Sequence, residues 1–497
     1  MTSGQDIHDL LIIGGGINGC GIACDAAGRR LGVVLVEQDD LASATSSASS
    51  KLIHGGLRYL EYYQFRLVRE ALAEREVLLG KAPHIIRPLR FVLPHQNQVR
   101  PAWMIRLGLF LYDHLAPHQQ LPDSEGVDLS THAWGAPLTK SNRRGFAYSD
   151  CWADDARLVV LNAMQAAEKG ATILTRTRLL EAERQQEHWQ ATVEDRRTGE
   201  TKTIKAHAII NAAGPWVEEV LSGRLGVTGK RKIRLVKGSH IVVPKMYDGD
   251  HAYILQLADK RVVFAMPFET GFTLIGTTDL SWQGAPAGEP EPTANEVTYL
   301  CDAVNGFFEK SVSADDVVWS FSGVRPLFDD RSGNPSAVTR DYVLDLDASG
   351  PPLLSVFGGK ITTYRRLAEH ALDQLKTFLP GMRGSWTADA SLPGGDIPSG
   401  DFAAFTAAMT SRYDNLDTAT VASICRRHGS HIPDVLGDGK NTGQDFGGGL
   451  FSCEIDYLID HEWAITAEDV LWRRTKAGLH MTGDERKAVE TYMMQKS

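Results

Sequence analysis

An α/β fold is expected from this chain, and three stretches carry the expectation. Leu10–Leu11–Ile12–Ile13 is a short apolar run of buried-strand character, and a glycine turn and a helical stretch from Ile17 to Arg30 follow it. The turn reads Gly14-x-Gly16-x-x-Gly19, the dinucleotide fingerprint in its required setting of strand before and helix after. Second, Val33–Val34–Leu35–Val36 makes a further strand that ends on Glu37, 18 residues past Gly19, where a carboxylate takes ribose hydroxyls. Third, residues 232–280 break into five short strand-like runs with turns between them, an antiparallel pattern. Together these predict a Rossmann-like dinucleotide-binding sheet, an antiparallel-sheet domain and, from the mixed helical spacings after residue 400, a helical C-terminal domain.

The glycines have separate tasks. Gly14 permits the tight turn, Gly16 lets backbone approach a pyrophosphate, and Gly19 lets the helix pack on the strand. The helix N-terminus then presents free N–H groups to phosphate. Ala42–Lys51 follows, rich in serine. A plain flexible loop is one reading; closure of small hydroxylated residues around a cofactor is preferred, because the segment lies between Glu37 and a dense run of functional residue types. That makes Thr45, Ser46, Ser47 and Lys51 candidate cofactor contacts.

His54-Gly-Gly-Leu-Arg58-Tyr59-Leu60 comes next. Its glycines favour a helix start near Gly56, and a histidine and an arginine there suit an anionic substrate, against the alternative of a structural histidine and a surface arginine. Residues 61–80 are expected to be helical, with Leu67, Val68, Leu72 and Leu78 inward. Residues 84–118 carry Arg87, Arg90, Arg100 and Arg106 against Asp113, a net +3, interleaved with Trp103, Phe110, Tyr112 and other apolar residues. An interfacial membrane element and a buried helix fit that stretch equally.

Asp150–Arg157 is expected to open a helix that runs through Lys169, with a strand at Ala171–Leu174 and a hairpin over 190–206 turning at Thr198–Gly199. Ala208–Asn211 is a strand, and the small-residue turn after it, Ala212–Ala213–Gly214–Pro215–Trp216, implies close backbone approach to a ligand. His240, in Lys237–Gly238–Ser239–His240, either faces substrate or sits on a solvated sheet face. Arg325 is stiffened by the proline after it. Leu353–Phe357 ends on a second glycine turn, Gly358–Gly359–Lys360–Ile361–Thr362, another anion-friendly helix start. Residues 380–400, rich in proline and glycine, look like a linker.

Composition sets bounds. The length of 497 residues allows roughly three domains. A formal charge of −10 argues against nucleic acid as a partner. Six cysteines without a CxxC suit a reducing compartment. No leader peptide is expected, no apolar run is long enough to span a bilayer, and no metal site is expected.

These motifs resemble the FAD-dependent, respiratory glycerol-3-phosphate dehydrogenases over almost the whole length. The resemblance rests on Gly14–Gly19 with Glu37, Ser46–Lys51, His54–Leu60, Asn211–Trp216, Lys237–His240, Gly323–Pro326 and Gly358–Arg365, and on His461–Ala464 and Asp469–Thr475 in the tail. It implies oxidation of sn-glycerol 3-phosphate to dihydroxyacetone phosphate, with hydride passing to flavin and electrons to a membrane quinone. A glycerol-phosphate or related oxidase using oxygen, and a non-catalytic flavin-binding module, are the alternatives. FAD is favoured over NAD because two glycine turns and the serine segment suit a long extended dinucleotide.

The expected organisation is an FAD-binding domain from 1–83, 150–216 and 321–380, a membrane- or substrate-facing segment 84–149, a sheet domain 217–320, a linker 381–400 and a helical domain 401–497. Expected catalytic residues are His54, Arg325 and His240, with His54 as the preferred base. Arg58, Tyr59, Arg325 and Lys360 are expected on substrate. Gly14, Gly16, Gly19, Glu37, Thr45, Ser46, Ser47, Lys51, Ala213, Gly214, Trp216, Gly359, Lys360, Ile361 and Thr362 are expected on cofactor. Expected partners are glycerol 3-phosphate, quinone and an anionic membrane surface, at the inner face of the cell membrane on the cytoplasmic side; a homodimer is a further candidate.

Overall fold

The computed structural model describes residues 7–95, 101–117, 120–141, 143–229, 231–259, 261–284, 290–329 and 341–496, with the Arg58 side chain outside that description. Two sheets organise the chain. The first has eight strands, with β1 (His8–Ile13) at its centre. β1 pairs in parallel with β2 (Val33–Val36) on one side and with Thr201–Asn211 on the other. Thr172–Leu174 extends the parallel set beyond β2, and Leu353–Phe357 extends it beyond Thr201–Asn211. The expected hairpin is present as Trp189–Asp195 against Thr201–Asn211.

Because parallel strands are covered on both faces, they are apolar throughout. Leu10, Leu11, Ile12 and Val33–Val36 are all buried accordingly. Helix α1 (Ile17–Gly28) lies on this sheet between the helices Asp155–Glu168 and Tyr364–Leu375. Burial on nearly every side explains why its sequence is almost wholly small and apolar. Its first turn carries no cap from Gly16; instead the Ser46 hydroxyl accepts from the Ile17 N–H at 3.0 Å.

The second sheet has ten strands and is antiparallel except where Ala252–Gln256 meets Ile86–Pro94. Ile233–Pro244 is its long spine, paired with Phe272–Gly276 and along ten residues with Trp319–Phe328. Of the five runs expected over 232–280, the first two are one continuous strand, Ile233–Pro244, and the other three are separate strands. Two further strands were hidden in the sequence. Ile86–Pro94 lies within the stretch expected to be a single interfacial or helical element, where Pro88 and Pro94 mask strand character. Arg144–Ala153 overruns the helix start expected at Asp150. Asp150 looks like a helix cap in sequence, but its carboxylate accepts from Arg75 at 2.9 Å and Tyr112 at 2.7 Å inside the protein. The helix begins at Asp155, capped by Asp154, which accepts from the Arg157 N–H. The division expected at residue 150 thus falls within a strand of the antiparallel sheet, and that at 321 within Trp319–Phe328.

The helices from Phe402 onward bury a core of their own, including Val421, Ile424, Ile455, Leu458 and Val470. Among the described residues no helix is long and apolar enough to cross a membrane.

Candidate active site

The crevice at the carboxyl ends of β1 and β2 opens into one cavity of about 450 Å³ that runs between the two sheets. Its size is that of a cofactor or substrate site. At one end, Gly14 has φ of +111° and a side chain there would lie 2.6 Å from the Ala212 carbonyl oxygen. A side chain at Gly19 would fall on the Gly14 carbonyl oxygen itself, so this glycine serves helix packing and does not line the cavity. Gly16 does line it.

Glu37 accepts the Gly15 N–H at 2.6 Å and the Asp39 N–H at 2.8 Å. Burial pushes its carboxyl up to about 7, against the pull of those two N–H groups, while one edge stays open to the cavity. Such a carboxyl is set to take hydroxyl donors.

Thr45 and Ser46 line the cavity, with Thr45 donating to the Val324 carbonyl at 2.7 Å. Ser47 and Lys51 do not. Ser47 turns its hydroxyl to its own loop at Ala44. Lys51 is fully buried, giving its ammonium to Asp155 at 2.7 Å and to the Ser47 carbonyl at 3.0 Å. Both contact the loop that lines the cavity rather than the cavity itself, since a serine-rich sequence does not show which hydroxyls turn inward.

Further along, Ala213, Gly214 and Trp216 form one wall, and Gly359, Lys360, Ile361 and Thr362 another. Asn18, which sequence reasoning passed over, joins them by donating to the Gly358 carbonyl at 3.1 Å. Its position in the first turn of the fingerprint helix was the available signal.

His54, Tyr59, Arg325 and Lys360 all line the same cavity. The Lys360 ammonium sits 4.0 Å from the centre of the Tyr59 ring. Arg325 donates to Asp279 at 2.6 Å and to Thr277 at 3.0 Å, and a side chain at Gly238 would collide with its guanidinium. Thr277 and Asp279 were missed in sequence; the polar run directly after the Phe272–Gly276 strand was the sign. The Thr362 hydroxyl accepts from the His54 N–H at 3.3 Å, which ties the second glycine turn to the histidine segment.

His240 is neither on a solvated face nor in the cavity wall. It is 1% exposed, stacked on Phe321, with Nε2 2.9 Å from the hydroxyl of Ser50, and Ser50 does line the cavity. Burial, then the charges of Arg325 and Lys51, hold it well below the usual imidazole range, so it is neutral near pH 7.

The segment 84–118 is only partly as expected. Arg87 is half-buried with its guanidinium over the Trp152 ring, Arg90 is spent on Glu125 and carbonyls, and Arg106 on Ser124. Arg100 lies outside the described residues. Tyr112 is 2% exposed, not interfacial, and donates to Asp150. What faces out on the Ala102–His114 helix is mainly apolar, Trp103, Met104, Leu107 and Phe110, beside Arg106 and His114.

Two glycine turns with a carboxyl between them, converging on a cavity between a parallel and an antiparallel sheet, define a dinucleotide-binding oxidoreductase. Residues 9–365 match the family of FAD dependent oxidoreductases and residues 385–494 match the C-terminal domain of alpha-glycerophosphate oxidase. The chain is 54% identical over 484 residues to the D-erythritol 1-phosphate dehydrogenase of Brucella abortus, covering 97% of this chain and 96% of that one. It is 53% identical over 494 residues to a glycerol-3-phosphate dehydrogenase of Pseudomonas aeruginosa, covering 98% and 95%. The structure of the glycerol-3-phosphate dehydrogenase from Bacillus halodurans complexed with FAD is similar over 100% of this chain and 95% of that one, with a TM-score of 0.75 at 26% identity. The chain belongs to the FAD-dependent oxidoreductase family, on the branch that holds the glycerol-3-phosphate dehydrogenases.

FAD fits the residues present. The glycines at 14, 16, 358 and 359 line the cavity with bare backbone at both turns, and Glu37 stands where ribose hydroxyls need an acceptor.

Proposed function

We propose that the protein oxidises sn-glycerol 3-phosphate to dihydroxyacetone phosphate and delivers the electrons to a membrane quinone. The observation that carries this reading is the presence of Arg325, Lys360 and His54 in one cavity with the dinucleotide turn. FAD, held by Gly14, Gly16, Glu37, Ala213, Gly214 and the 358–362 turn, supplies the hydride acceptor when bound. Arg325 offers a fork and Lys360 a compact charge to the substrate's phosphate, with Arg58 as a third cation on the same segment as His54. His54 accepts the proton of the secondary hydroxyl, the part a neutral imidazole plays best near pH 7.

A second assignment of the base has its own support. Ser50, hydrogen-bonded to His240 Nε2 at 2.9 Å, places a hydroxyl in the cavity that can take the substrate's hydroxyl proton as it passes its own proton to His240. Stopped-flow reduction under nitrogen separates the two: His54→Asn slows flavin reduction by roughly 100-fold or more on the first assignment, and His240→Asn with Ser50→Ala does so on the second.

Substrate length is a further alternative, favoured by the 54% identity to an erythritol-phosphate enzyme. Comparing kcat/KM for glycerol 3-phosphate and D-erythritol 1-phosphate on one preparation decides between three and four carbons. Peroxide at one equivalent per turnover in air, with no quinone reduction, would replace the dehydrogenase reading with an oxidase.

For the acceptor side we propose a peripheral location on the inner face of the cell membrane. The Ala102–His114 helix carries an apolar outer face, and its inner face reaches the site, because the Tyr112 hydroxyl accepts from the Gly55 N–H at 2.8 Å, one residue from His54. Contact with lipid is then mainly apolar, since the described arginines of the segment are engaged internally.

A further inference from the structure

One end of the serine-rich loop is tied directly to a short stretch of the C-terminal domain, and the other end is tied to the same stretch through Asp154–Asp155. At the first end is Asp40, fully buried, three residues past Glu37. It receives Arg473 Nε at 2.7 Å and the two ends of the Arg474 fork at 2.7 and 2.8 Å. Arg474 also donates to the Glu462 carbonyl at 2.6 Å, so the fork is anchored in its own domain. Two residues further, the Ala42 N–H donates to the Gly15 carbonyl at 3.1 Å, which stitches the clamped segment to the glycine turn. Next to it, the Arg176 N–H holds the Asp39 carbonyl at 2.9 Å while its side chain reaches Asp469 at 2.7 Å.

At the other end, Lys476 gives its ammonium to Asp154 at 2.9 Å. The next residue, Asp155, takes the Ser49 hydroxyl at 2.8 Å, the Ser49 N–H at 3.1 Å and the Lys51 ammonium at 2.7 Å. Between these ends lie Ser43–Ser46, which face the cavity. Ser46 in turn caps α1 at Ile17. A loop fixed at one end only would leave that hydroxyl and the fingerprint turn free to move. Forked arginine–carboxylate pairs fix orientation as well as distance, which a loop of small residues cannot do for itself.

We infer that Arg473, Arg474 and Lys476 are positioning residues for the cofactor: the C-terminal domain is a brace that holds the 37–51 loop closed over the bound dinucleotide. The inference rests on the FAD reading. It assigns the C-terminal domain a direct part in retaining cofactor.

The test is the rate of FAD release from holoenzyme diluted into buffer, read as the rise of free-flavin fluorescence, together with the visible circular dichroism of bound flavin. Arg473→Met and Lys476→Met are expected to release FAD at least about tenfold faster and to alter the dichroism, with Arg473→Lys restoring most of the loss. Glu454→Gln, whose partners Arg427 and His428 lie within the C-terminal domain, is the control: it is expected to lower the melting temperature without changing FAD release. Should Arg473→Met fail to fold, Lys476→Met, which removes one buried ammonium from Asp154 and leaves the Asp40 fork intact, decides alone. FAD release at the wild-type rate in a folded variant, or equal acceleration by Glu454→Gln, overturns the brace. A wild-type protein that binds no FAD overturns the functional reading as well.

Discussion

Arg325 meets Asp279 at 2.6 Å, so on the proposed reading a substrate phosphate would enter a site whose arginine already has a carboxylate partner. Binding must therefore share the guanidinium or displace Asp279. Arg325→Ala is expected to cost roughly 2–5 kcal/mol in kcat/KM for glycerol 3-phosphate, as for a desolvated charge pair broken on one side. Asp279→Asn should retain the arginine but loosen its aim, and so raise KM more than it lowers kcat. Unchanged kcat/KM in Arg325→Ala would remove that residue from the site. His240 supplies a pH expectation. Burial lowers its pKa, so it stays neutral as pH falls through 6.5, and no acid limb of the kcat/KM profile there belongs to it. An acid limb near that pH that vanishes in His54→Asn and survives in His240→Asn would support His54 as base; one that vanishes only in His240→Asn would contradict it.

At the scale of elements, the Ala102–His114 helix carries a second expectation. With Trp103 66% and Phe110 51% exposed, lipid binding should depend on these rings and only weakly on salt. Flotation with liposomes is expected to fall in Trp103→Ser and Phe110→Ser and to persist at high salt; salt-sensitive binding indifferent to Trp103→Ser would contradict this. The sequence showed the residue types of this segment but not their partners. The arginines looked like a basic patch because nothing in the text reveals that Trp152 or Ser124 consumes them. Local runs such as Leu10–Ile13 with Gly14–Gly19 were legible because strand, turn and helix are contiguous. The strands Ile86–Pro94 and Arg144–Ala153 were not, because each is made a strand by a partner tens of residues away.

The C-terminal helices give a stability expectation. Burial would raise the Glu454 carboxyl, but the Arg427 fork outweighs it and holds it down to about 2. His428 is pushed down by burial and adds little positive charge of its own near neutral pH. A depressed carboxyl contributes stability above its unfolded value near 4.5, and that contribution is lost as pH falls toward 2. Thermal melts are expected to fall between those pH values, and Glu454→Gln, which leaves Arg427 buried without its counter-charge, should cost about 3–5 kcal/mol at pH 7. An identical melting temperature in the variant would show the pair to be neutral.

At the scale of the molecule, the function depends on chain segments far apart in sequence closing one cavity. The fingerprint turn, the His54 segment, Arg325 and the 358–362 turn were each readable, since each is a short motif with its own chemistry. Their convergence, the burial of Lys51 and the link of Asp40 to Arg474 depend on sheet order and on a domain attached at the end of the chain. The most direct measurement of the central claim is the visible spectrum of the purified protein under nitrogen, before and after glycerol 3-phosphate. A yellow protein that releases FAD on denaturation, bleaches with glycerol 3-phosphate and stays yellow with glycerol is the predicted result. A colourless protein, or bound flavin that glycerol 3-phosphate leaves oxidised, would contradict it.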